Sequence, residues 1–135
     1  MRITKEIFKE KSDDFVKDLI KQDITLDYTL DSLKQVDSFL QGLVAMGLTD
    51  KENPLNKSLD RIVLSIAAYL GETLIKIIPN SEWVIPIEII ETQVVINNAL
   101  YAFPIKRVIN CLRTGTDDSL FSYGIHLVSA SNNEV

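Results

Sequence analysis

The chain has 135 residues, 46% of them apolar and 24% charged, the balance of one globular domain with a core of its own. Its formal net charge is -5 and its pI is near 4.8, and its basic residues are scattered, which argues against nucleic acid as a partner. A single cysteine, Cys111, excludes an intrachain disulfide framework.

The opening MRITKEIFKEK is charged and lacks the apolar segment of a secretory signal. Thr4 to Lys21 reads as one helix or two short ones, with Phe8, Phe15, Val16 and Leu19 at helical spacing. Ser12, followed by Asp13 and Asp14, suits a restart, because serine caps helices and acids favour the first turn. Asp23 to Tyr28 is a connector. Thr29 is the expected cap of a second helix. Leu33, Val36, Leu40, Leu43 and Val44 share one face; Asp31, Lys34, Gln35 and Ser38 share the other. Gly47 is its expected stop, and Asn53-Pro54 marks a turn.

A third helix is expected from Lys57 to Ile78, ended by Pro79-Asn80. It is apolar around most of its circumference, which makes it the central helix. Its apolar run, Ile62 to Gly71, is about half of what a bilayer needs, so no membrane partner is expected and the location predicted is cytoplasmic. Inside it lies AAYLGETL, Ala67 to Leu74, where a glycine and a glutamate stand side by side. At about 100° per residue, Arg61, Ser65, Glu72 and Lys76 fall on one narrow stripe. The preferred reading puts that stripe in water, with Glu72 and Lys76 paired at i and i+4. The alternative makes Glu72 the acid of a ligand pocket walled by Tyr69 and Trp83, with Arg107 or Arg113 as anion anchors. Gly71 lies off the stripe and suits a backbone crossing closely, such as a strand.

Trp83 to Phe103 is rich in Ile, Val and aromatic residues. Ile85, Ile87 and Ile89 alternate with Val84, Pro86 and Glu88, the period of a strand. Val94-Val95-Ile96, then Asn97-Asn98, then Ala99 to Ala102 predicts a tight hairpin. The whole reads as a three-stranded antiparallel meander. Pro104 opens a fourth helix with an apolar face of Ile105, Val108, Ile109 and Leu112, a solvated face of Lys106, Arg107 and Arg113, and Gly115 as its stop. Ser119 to Ser129 fits a helix capped by Thr116 to Asp118, or an edge strand; helix is preferred. Ser131 to Val135 is expected to fray. Helices, then strands, then helix make a single α+β domain, with the central helix on the meander.

Chemistry is sparse. One histidine, His126, and one cysteine give no zinc set. A Cys111–His126 dyad can be written, but Cys111 between Ile109 and Leu112 reads as a small core hydrophobe. There is no GxGxxG, GxxxxGK[ST] or GxSxG pattern, and the aspartates lack calcium-loop spacing. No catalytic residue, metal or cofactor is expected.

DYTLDSLKQVDSFL (27–40), AAYLGETL (67–74), Trp83 and PIKRVINCLRTGTDDSL (104–120) occur in one chain. The combination resembles a class of small bacterial proteins with a D-Y-S/T helix start, an A-x-Y-L-G-E core helix and a Trp strand. The resemblance implies kinship and no activity. Small acidic bacterial proteins of this size include immunity partners of toxins, an analogy of size alone. The function expected is a non-catalytic, cytoplasmic protein-interaction or self-associating module. Its interface would be the exposed side of the meander around Ile85, Ile87 and Ile89. A mean hydropathy of +0.10 fits a protein with apolar surface to cover. The alternative function is ligand binding or minor enzymatic work at Tyr69, Glu72, Trp83, Arg107 and Arg113.

Overall fold

In the computed structural model, which describes residues 3–114 and 119–133, α3 (Leu59–Ile77) runs through the centre. It is central because it has little polar surface to give to water: every residue from Ile66 to Leu74 is buried. α1 (Lys5–Ile20) packs along one side of it and α4 (Pro104–Thr114) along another. The strands β1 (Ser81–Val84), β2 (Gln93–Ile96) and β3 (Leu100–Ala102) follow its C-terminal end. α2 (Ser32–Ala45) packs on α5 (Leu120–Asn133) and α4. The architecture is α+β. Among the described residues no helix is long and apolar enough to cross a membrane.

α1 is one helix, so Ser12 does not restart it. Its buried side chain instead hydrogen-bonds to the Tyr28 hydroxyl at 2.9 Å. Thr4 caps the helix by accepting from the Ile7 N–H. α2 starts later than expected. Thr29 Oγ1 accepts from the Ser32 N–H at 3.2 Å, so the threonine caps the turn that leads into the helix. Gly47 stops the segment after α2 with a φ of +76°. Lys57 and Ser58 belong to a 3-10 turn, Pro54–Ser58, rather than to α3.

The sheet is antiparallel in the order β1-β2-β3, with Trp83 opposite Val94 and Ile96 opposite Leu100. Trp83, Val94, Ile96, Leu100 and Ala102 pack into the helical core. Asn97 and Asn98 take φ of 54° and 59° in the β2–β3 turn, the conformation that favours asparagine there. The first strand is not where alternation put it. β1 ends at Val84 opposite Gln93, and Ile85, Ile87 and Ile89 lie outside the sheet. Pro86 has no N–H to give a ladder; beyond it Ile87 is fully exposed and Ile89–Glu91 form a 3-10 turn.

The last element is a helix. Its first N–H groups are capped from across the fold. Asp37 of α2 accepts from Leu120 N–H at 2.7 Å and from Phe121 N–H at 3.1 Å. The predicted stop at Gly115 and cap at Thr116 to Asp118 lie outside the described residues. The expectation of fraying from Ser131 fails as far as Asn133, because Ser131 is buried and donates to the Val128 carbonyl. Glu134 and Val135 lie outside the described residues.

Candidate functional site

The pairing of Gly71 and Glu72 has one cause, the indole of Trp83. β1 lays that ring directly on α3, where a Cβ on Gly71 would overlap it. Phe8 of α1 stacks on the indole, with centroids 4.3 Å apart and planes 10° from parallel. The indole N–H donates to Glu72 Oε2 at 2.8 Å. The close approach at Gly71 is therefore by a strand's side chain, not by a strand's backbone.

The solvated stripe does not form. Glu72 is only 9% exposed, and its carboxylate is engaged by the indole. Lys76 lies over the Tyr28 ring, 4.1 Å from its centroid. Arg61 is exposed and Ser65 half-buried. The stripe splits because Trp83 arrives at Glu72 from the sheet, a partner that helical spacing does not reveal.

Tyr69 anchors a second junction. It is fully buried, packed edge-on to Phe15 and stacked on Tyr28. The Tyr28 backbone N–H donates to its hydroxyl at 2.8 Å. Ser32 Oγ lies 2.6 Å from that hydroxyl and donates its own proton to the Thr29 carbonyl. The Tyr69 proton therefore points to Ser32, and the connector before α2 is tied to α3. Tyr28 itself has a φ of 61°, rare for a tyrosine. Burial pushes the hydroxyls of both Tyr69 and Tyr28 up from their ordinary value, so neither is poised for proton transfer near neutrality.

The five sequence candidates thus fall in three places. Tyr69, Glu72 and Trp83 share the side of α3 that meets α1, through Phe15 and Phe8. Arg107 lies with its guanidinium 4.2 Å from the Tyr123 ring centroid, in a groove of about 600 Å³ that also contains Tyr101, Ser122 and His126. Arg113 lines a different groove. Cys111 is buried in the core, whereas His126 is exposed on α5.

Arg113's groove is apolar and holds about 800 Å³, within the range of ligand sites. Leu59, Val63 and Leu64 of α3 form one wall, and Ile105, Ile109 and Leu112 of α4 the other. Ile89 and Ile90 also line it. The Lys106–Glu91 ion pair, 2.8 Å long, ties their turn to α4. Val84, Ile87, Ile89 and Ile90 are all exposed, so the segment that supplies Ile89 and Ile90 to the groove also holds aliphatic side chains in water, with the exposed Glu88 among them. Sequence reasoning missed this groove because its walls come from distant segments. The available signal was VIPIEII, an aliphatic run that Pro86 keeps out of a sheet.

Among the described residues there is no group of three or more His, Cys, Asp or Glu placed to hold a metal ion. Compared with known proteins, the chain matches no family model, no curated protein and no solved structure.

Proposed function

We propose that this chain is a non-catalytic protein-interaction module that buries the ridge at 84–90 and the adjoining groove against another polypeptide. The observation that carries the reading is Ile87, a large aliphatic side chain wholly in water, two residues before Ile89 of the apolar groove. Exposed apolar side chains clustered along one segment suit an interaction site. The reading gives Tyr69, Glu72 and Trp83 a packing role, consistent with the hydrogen bonds and stacking that occupy them. An acidic chain with one cysteine suits a cytoplasmic protein and disfavours nucleic acid as the partner. Neutralising a toxin is one form this role takes in small acidic proteins.

The test places a photo-cross-linker at position 87 and measures mass by light scattering. A dimer that Ile87→Ser dissociates supports self-association. A monomer that cross-links to one protein in native lysate supports a separate partner. A monomer that cross-links to nothing overturns the reading.

A further inference from the structure

The rim of the apolar groove narrows the chemistry of what it binds. Resting on the interaction reading, we infer that the groove takes an amphipathic helix of another protein whose aliphatic ridge is flanked by acidic side chains.

The groove floor is aliphatic on both helical walls, the surface that accepts residues spaced i, i+3, i+4 and i+7 on a docked helix. Of its polar side chains, Asn56 already has its amide on the Leu48 carbonyl at 2.8 Å. A small molecule within the groove would leave Ile87 in water, whereas a helix with flanking chain covers both groove and ridge.

The charges set the partner's sign. Among the described residues that line the groove, Lys51 and Arg113 stand on the rim against one carboxylate, Asp60, while the ridge beyond carries the exposed Glu88. This is a locally positive rim on a chain of net charge -5. Lys106 does not add to it, since it pairs with Glu91. An acidic flank meets Lys51 and Arg113 favourably, and a basic flank meets repulsion. A second copy is a poor occupant. The apolar faces of α1 and α2 are spent on their own core. Two grooves facing each other would bring Lys51 and Arg113 toward their counterparts.

The experiment titrates two end-capped synthetic peptides into the full chain. Both carry leucine at i, i+3, i+4 and i+7; one has glutamate at the flanking positions, the other lysine. Methyl NMR is the readout. The glutamate peptide is expected to bind at least about tenfold tighter at low salt, with shifts at Leu64, Ile90 and Ile109. Lys51→Glu with Arg113→Glu should reverse the preference. Ile90→Glu, at an exposed position, should leave the fold intact and abolish binding. Equal affinities, a lysine preference, shifts elsewhere, or no binding of either peptide at about 1 mM overturns the inference. Tighter binding of decanoate than of the glutamate peptide at the same methyls also overturns it and makes the groove a small-amphiphile site. In each of these failures the broader interaction reading is judged separately, by the cross-link at position 87.

Discussion

Gly71 is the position where one atom matters most. A Cβ there would collide with an indole that Phe8 holds from the other side. Gly71→Ala is therefore expected to cost about 1–3 kcal/mol, in spite of alanine's better helix propensity, as read by urea denaturation. Glu72→Gln keeps an acceptor for the indole N–H and should cost less than Glu72→Leu, which strands it. The oddity of AAYLGETL was legible in sequence. Its cause was not, because the partner ring comes from another element and no helical period points to it.

Two tyrosine hydroxyls, one buried and one half-buried, give a pH signature at the same scale. Tyr28 and Tyr69 are both raised from the ordinary value of 10.0, with burial the largest cause. The folded state therefore holds these protons more tightly than the unfolded state. Their contribution is complete below pH 10 and is lost as pH rises above it. Tyr69→Phe should flatten the alkaline loss of stability in denaturation curves taken between about pH 9 and 12. An unchanged slope would show that Tyr69 is not the group responsible.

At the scale of elements, α5 is capped partly by its own Ser119, whose Oγ accepts from the Ser122 N–H at 3.0 Å, and partly by a residue from another helix. Asp37 sits 83 residues from Leu120 in sequence and accepts its N–H. Asp37→Ala should cost about 1–2 kcal/mol and speed amide exchange in the first turn of α5. Asp37→Asn, which keeps one acceptor, should cost less. Burial raises the Asp37 carboxyl above 3.8, although the two backbone N–H groups pull it down. The folded state thus holds this proton more tightly than the unfolded chain does. Asp37's contribution is greatest below pH 3.8 and declines as pH rises through its folded value. Comparison with Asp37→Asn across that range reads the decline. The amphipathic helices were legible because burial follows their own period. The first strand was misplaced because alternation also occurs in a loop. Pairing decides which alternation becomes a strand, and the ladder ends at Val84.

For the whole molecule, the order of elements was enough to predict α+β, and the apolar circumference of α3 put it at the centre. The groove was not predictable, since its walls come from α3, α4 and the turn after Pro86. Ile87 lies outside the core, and Ile87→Ser should change stability by no more than about 0.5 kcal/mol in thermal or urea unfolding. A larger loss would mean that the ridge supports the fold. The stack at Gly71 has a further consequence. Trp83 is the chain's single tryptophan, held where α1, α3 and β1 meet. The protein thus carries a native optical reporter at that junction, remote in role from the groove. Emission followed beside far-ultraviolet circular dichroism will distinguish two courses of unfolding. Coincident curves mean that the junction and the helices come apart as one unit; an earlier change in emission means that the sheet detaches while the helices persist.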